Sequence, residues 1–374
     1  MHILHLHSTF DAGGKELRAA RLMSAFGSKV RHTVVSAMPD ALGAASAVSK
    51  EISVNYPRDF EALAGKPSPA RLQRLAQAMQ PFDLVLTYNW GAMDAVMAYS
   101  VFRDFHNLPP LAHHEDGFNQ DEAERLKPSR NWYRRIALAR TAALVVPSRR
   151  LEDIALKVWQ QPRTRVHLIE NGIDTAAYAQ KPAADALPRV IKRSGEKWLG
   201  TLAGLRAVKN LPCLVRAFAG LPEEWQLVIL GEGPERATIK AEAQRLQILH
   251  RVHMPGFVPD PAKAVGLFDL FALSSDSEQF PISVVEAMAA GLAVVSPDVG
   301  DVRGMVVDEN QPYIVPPGDE AALAQAIAVL AGDESARLAI GKANRARAVS
   351  LYDEKRMIGS YRLLYGGVSD RAEL

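Results

Sequence analysis

Two carboxylates eight positions apart frame the segment Glu278-Gln-Phe-Pro-Ile-Ser-Val-Val-Glu286-Ala-Met-Ala-Ala-Gly291. The first lies just outside a predicted helix, and the second lies about a turn and a half inside it. Pro281 suits the first helical turn, where its missing N–H costs nothing. The free N–H groups of Phe280, Ile282 and Ser283 then point beyond the helix start. Unpaired donors and the positive end of the helix dipole bind phosphate at such a place. A carboxylate beside the same anion is ill placed to bind it and instead accepts hydrogen bonds from neutral hydroxyls. Hydroxyls flanking a phosphate are the chemistry of a nucleotide sugar.

A second element carries positive charge. Gly204-Leu-Arg206-Ala-Val-Lys209-Asn210 follows a predicted strand over 199–203. An Arg and a Lys fixed at a strand end can neutralise the charge that grows on a departing diphosphate, without a metal.

These groups need a scaffold. Residues 2–7, 33–36, 83–87, 111–114 and 143–146 read as strands, with helices between them, the first over 15–26. Ala, Pro and charge dominate 179–195, which reads as a linker. The alternation restarts with strands at 199–203, 226–230, 252–255, 270–273 and 293–296. Helices are predicted at 210–219, from Gly233 to about 246, at 321–331, at 335–350 and from Asp353 to Tyr365. Strands alternating with helices imply parallel sheets covered on both faces.

The chain has 374 residues, which suits two domains rather than one core. Its net charge of +2 is too small for a nucleic-acid partner, and no recognised nucleic-acid motif is present. A single cysteine, Cys213, rules out an internal disulfide and fits a reducing compartment. The N-terminus lacks the features of a signal peptide, and no apolar run approaches the ~18–20 residues that span a bilayer. His5 and His7 share one face of the first strand, but no third ligand is in view, so no metal site is expected.

The acid-rich segment resembles the E-x7-E signature of retaining glycosyltransferases of the GT-B fold, family 4. The surrounding run, from Phe268-Asp-Leu-Phe-Ala-Leu-Ser-Ser-Asp276 to Ala293-Val-Val-Ser-Pro-Asp298, follows that family's pattern along its length. The resemblance implies an α/β protein of two Rossmann-like, doubly wound domains facing across a cleft. Residues 1–180 would form the acceptor-side domain and 195–352 the nucleotide-sugar domain, with a final helix at 353–374 packing back on the first.

By the same resemblance, Arg206 and Lys209 match the family's Gly-Arg-x-x-x-x-Lys-Gly element. Here the Arg is displaced one place by Leu205, and Asn210 stands where Gly is usual. Glu278 would hold donor-sugar hydroxyls and Glu286 the ribose hydroxyls. Gly14, in Asp11-Ala-Gly-Gly-Lys-Glu16, would touch the donor phosphates. Gly233 and Phe257 would frame the nucleobase. His114 or Asp116, in His113-His114-Glu115-Asp116-Gly117, would stand near the reacting carbon. Asn171-Gly172-Ile173-Asp174 would close the first domain. No enzyme carboxylate would attack the sugar, because the leaving phosphate itself helps deprotonate the acceptor. No cofactor is implied, only a UDP- or GDP-sugar as co-substrate and a glycan or lipid hydroxyl as acceptor. A nucleotide-sugar epimerase, a phosphorylase and a non-catalytic nucleotide-sugar-binding protein remain as rivals.

The stretch Arg125–Arg150 holds eight basic residues and no acid, with Trp132 and Tyr133 among them. A basic helix with interfacial aromatics can rest on anionic lipid, gaining ~1 kcal/mol per basic residue. A solvated helix whose Trp packs inward fits equally well. The expected location is cytoplasmic, peripheral on the inner face of the cell membrane.

Overall fold

The computed structural model describes residues 1–118, 122 and 125–370, so the last four positions of the expected 353–374 helix lie outside the described residues. The chain divides into two compact units, residues 1–171 together with Met357 onward, and residues 172–356.

In the first unit the strands are β1 (His2–His7), β2 (Arg31–Ser36), β3 (Val54–Asn55), β4 (Leu84–Tyr88), β5 (Leu111–His114), β6 (Ala143–Val146) and β7 (Val166–Leu168). The helices between them are α1 (Gly14–Phe26), α2 (Pro69–Met79), α3 (Met93–His106), α4 (Pro128–Ala137) and α5 (Arg149–Lys157). All strands run parallel in the order β3-β2-β1-β4-β5-β6-β7. Successive residues of β1 serve opposite cores, Ile3 one and Leu4 and Leu6 the other. That is the period-two pattern of a strand buried on both faces.

The second unit holds β8 (Lys197–Leu202), α6 (Leu211–Phe218), β9 (Trp225–Leu230), α7 (Arg236–Arg245), β10 (Val252–Gly256), β11 (Leu270–Ala272), α8 (Ile282–Ala289), β12 (Val294–Pro297), α9 (Val302–Met305), β13 (Ile314–Val315), α10 (Glu320–Gly332) and α11 (Glu334–Leu351). Its sheet is parallel in the order β10-β9-β8-β11-β12-β13. Trp198 and Val228 pack into one core, Leu199 and Leu227 into the other. The last helix, α12 (Glu354–Val368), sends Met357, Tyr361 and Tyr365 into the first unit's core beside Ile3 and Phe26.

Each sheet reverses its winding once, between β1 and β4 in the first unit and between β8 and β11 in the second. Ligands of open parallel sheets bind outside the carboxyl ends of the strands at such a switch point.

Two expectations need correction. The segment read as a linker is part of the second unit, whose core takes its Leu187, 2% exposed. Its Ala- and Pro-rich composition conceals the few residues that anchor it. Pro281 does not enter the first turn of α8 but caps it, in an extended conformation with φ −70° and ψ 108°. The helix begins at Ile282.

Candidate functional site

The loops that follow β8 and β11 meet at the second unit's switch point. Lys209 Nζ donates to Glu278 Oε1, and Ser275 Oγ donates to the same oxygen at 2.8 Å. The Lys209 and Glu278 side chains are 15% and 11% exposed. Three further bonds tie the loops together. Ser274 Oγ donates to the Lys209 carbonyl at 2.9 Å, Asp276 N to the Val208 carbonyl at 2.9 Å, and Asn210 Nδ2 to Asp276 Oδ1 at 2.8 Å.

Asn210 itself lies in the left-handed region, with φ 45° and ψ 42°. Asn is among the few residues besides Gly that tolerate this conformation. Replacement of the family's usual Gly therefore keeps the turn and adds a side chain that reaches Asp276. Leu205, the residue that displaces the Arg, is fully buried in the core. Arg206 is exposed, and its side chain has no hydrogen-bond or ion-pair partner among the described residues.

The segment before α8 is held by a close backbone approach. Gly300 has φ +59°, and a Cβ there would lie 2.4 Å from the Gln279 carbonyl, which accepts from Asp301 N at 3.0 Å. Phe280 is 7% exposed and packs edge-on against Tyr352, so its side chain belongs to the core. Ile282 and Ser283 supply the first two N–H groups of α8, which an eight-residue helix leaves unpaired. Glu286, on the second turn, is 8% exposed, and its Oε1 accepts from the Tyr178 hydroxyl at 3.0 Å.

At neighbouring strand ends, Gly233 has φ +156°, and a Cβ there would lie 2.5 Å from the Leu205 carbonyl. No other residue fits between that loop and the Arg206 loop. Phe257, directly after β10, is 68% exposed.

The first unit presents a different picture. Arg18 grips both oxygens of Asp116, at 2.5 and 2.9 Å, and donates to Asn171 Oδ1 at 2.7 Å. Burial pushes the Asp116 carboxyl up, but the Arg18 charge outweighs it and holds the group below the usual carboxylate range. His114 is 1% exposed. Its Nδ1 donates to the Thr87 carbonyl at 3.2 Å, so Nε2 accepts from the Tyr365 hydroxyl at 2.7 Å. Burial, reinforced by Arg18, lowers its pKa to about 3. The ring is neutral, and both nitrogens are engaged. Neither side chain projects an uncommitted polar atom.

Gly14 opens α1, but Glu16 already faces that helix start. Its Oε2 lies 2.6 Å from where a Cβ on Gly13 would stand, and Lys15 pairs with it. His5 and His7 do share a side of β1, with stacked rings 6.4 Å apart. His5 is bonded to Tyr88 and His32, and no group of three His, Cys, Asp or Glu side chains is placed to hold a metal among the described residues.

The basic stretch is only partly a surface. Arg134 is fully buried, bonded to Glu115 and Glu122 and lying over the rings of Trp90, Phe118 and Trp159. Arg130 also pairs with Glu122, and Arg140 with Asp104. Trp132 faces outward at 66% exposure, with Ile136 one turn on, while Tyr133 turns inward to Asp94. This overturns the reading in which the Trp packs inside. Among the described residues no helix is long and apolar enough to cross a membrane.

Tyr178, Ser275, Asp276 and Arg18 were not foreseen as part of these sites. Ser275 stands three residues before Glu278, a spacing that hints at a local bond. Tyr178 lies far from Glu286 in sequence and gave no such sign.

Two family models match the chain, "Glycosyltransferase Family 4" over residues 12–177 and "Glycosyl transferases group 1" over residues 185–347. The N-acetyl-alpha-D-glucosaminyl L-malate synthase of Bacillus anthracis is 26% identical over 207 residues, 55% of this chain and 54% of the relative. The N-acetylgalactosamine-N,N'-diacetylbacillosaminyl-diphospho-undecaprenol 4-alpha-N-acetylgalactosaminyltransferase of Campylobacter jejuni is 27% identical over 210 residues, 55% of this chain and 56% of the relative. The chain thus matches about half the length of these curated relatives. The crystal structure of Anabaena HepE in complex with UDP and glucose shares the fold with a TM-score of 0.80. It is 19% identical and covers 98% of this chain and 100% of that one.

Proposed function

This chain belongs to family 4 of the glycosyltransferases and has their two-domain GT-B fold, and we propose that it moves a hexosyl unit from a nucleotide diphosphate sugar to a hydroxyl acceptor, with retention at the anomeric carbon. The observation that carries this reading is the contact between the Lys209 and Glu278 loops at the switch point, beside the start of α8. A cation and a carboxylate meet there, four residues before the first N–H groups of α8, a grouping that supports a diphosphate beside a sugar.

In this reading Arg206 and Lys209 stabilise the departing diphosphate, helped by the N–H groups of Ile282 and Ser283. Phe280 and Pro281 shape the approach to them. Glu278 holds donor-sugar hydroxyls, and Glu286 accepts from the ribose, sharing its carboxylate with Tyr178. Phe257 and the backbone near Gly233 border the base. His114 and Asp116 set the backbone of the β5 loop rather than touching the reacting carbon. The chemistry needs no metal, because the cations are the protein's own.

The UDP bound to HepE and the lipid-linked acceptor named for the Campylobacter relative favour a UDP-sugar donor and a lipid-linked or envelope-glycan acceptor here. The outward Trp132 and Ile136, beside the exposed Arg135, support peripheral docking on the cytoplasmic leaflet. Co-sedimentation with liposomes should rise with anionic lipid, and an indifferent response removes the docking.

Lys209→Ala and Glu286→Ala should each lower kcat/KM for transfer at least tenfold, ~1.4 kcal/mol of transition-state binding. Near-normal turnover in both variants refutes the assignment. A thermal-shift panel of UDP, GDP, ADP and their sugars would identify the donor by mass action.

A further inference from the structure

Before any donor arrives, the Lys209 ammonium already has an anion, the Glu278 carboxylate. The pair sits largely out of bulk water, where opposite charges attract more strongly. The bonds from Ser274, Ser275, Asp276 and Asn210 hold the two loops together around it, so the loops are not free to drift apart. An incoming diphosphate must therefore compete with Glu278 for Lys209 in place. Only Oε1 of Glu278 is engaged in this pair; Oε2 has no hydrogen-bond partner among the described residues. One carboxylate thus has two claimants, the Lys209 cation and the donor-sugar hydroxyls.

We propose that Glu278 discriminates the sugar-loaded donor from the spent nucleoside diphosphate, yielding Lys209 to the diphosphate while sugar hydroxyls occupy it and reclaiming Lys209 once the sugar has gone. With the sugar present, its hydroxyls replace the lost lysine contact. Without the sugar, breaking the pair leaves a partly buried carboxylate with no counter-charge, which is unfavourable. The spent diphosphate is therefore the weaker competitor, and its release is favoured. The proposal rests on the donor-site reading above.

The test is calorimetric titration of the full-length protein with two sugar-free probes, UDP and inorganic pyrophosphate. Glu278→Gln keeps the side chain's shape and can still accept from Ser275, but it no longer neutralises Lys209. It should bind both probes at least fivefold more tightly than the unmodified protein. Glu309→Gln removes an exposed charge of the second unit that lies outside both loops, and should change affinity less than twofold. If Glu278→Gln does not fold, Glu278→Asp takes its place, with a weakened contact to Lys209 and an expected two- to threefold gain. Equal affinity in the unmodified protein and the Glu278 variant overturns the exchange and leaves the donor site standing. Equal tightening by Glu309→Gln overturns it in favour of a general charge effect. Binding of neither probe to any of the proteins removes the donor site itself, and the proposal with it.

Discussion

Replacing Asp116 by Asn tests whether this carboxylate serves the chemistry or the scaffold. Asp116 receives two bonds from Arg18, and the side chains of the pair are 12% and 6% exposed. Removing one partner of a buried pair leaves the other charge uncompensated, at a cost of ~3–5 kcal/mol. Arg18 keeps its bond to Asn171 and lies 5.8 Å from the Tyr361 ring, so the lower end of that range applies. At ~2–4 °C per kcal/mol for a domain of this size, ~3 kcal/mol lowers the first unit's melting transition by ~6–12 °C. The double variant Arg18→Met/Asp116→Leu should recover most of the loss, because it removes both charges together. The assay is thermal unfolding of the three proteins, read beside transfer kinetics at a temperature below every transition. An unshifted transition with transfer abolished refutes the structural account and returns Asp116 to the reacting carbon.

Two further outcomes are expected. His5, His7, His32 and His114 are buried, and burial lowers the pKa of each, to about 4 for His32 and about 3 for His114. Their folded values lie below the unfolded one, so the unfolded chain takes up protons first. Stability should be full above pH ~6.5 and fall as pH drops toward ~4, by up to ~1.4 kcal/mol per pH unit for each histidine; urea unfolding that is flat between pH 7 and 5 would contradict this. Asn210→Ala places a side chain without Asn's tolerance in the left-handed conformation and should destabilise the second unit by ~1 kcal/mol. Asn210→Gly should cost distinctly less by the same unfolding measurement, and equal losses would trace the effect to the lost Asp276 bond alone.

The doubly wound alternation was legible because central strands such as Leu84–Tyr88 and Val294–Pro297 are largely apolar on both faces. β7 was missed because Val-His-Leu lies in a polar, Arg-containing stretch, and β13 because two residues carry no period. The Lys209 and Glu278 loops could be read from residue types and from their places after strands. Their pairing could not, since it depends on strand order, which places β11 beside β8. The same holds for Tyr178 with Glu286 and for His114 with Tyr365, contacts that only the folded sheets bring together. His114 looked available as a lone polar residue at a strand end. Nothing in the nearby sequence announces the tyrosine on a helix 251 positions later that encloses it.

That late helix has a consequence for how the protein is made. Tyr361 and Tyr365 complete a core that begins at Ile3, while the whole of residues 172–356 is synthesised in between. On the ribosome, the unit made second has all its parts first, and the unit begun first waits with an open flank until α12 emerges. From the synthesis of Asn171 until α12 has left the ribosome, that apolar flank is therefore open to a chaperone.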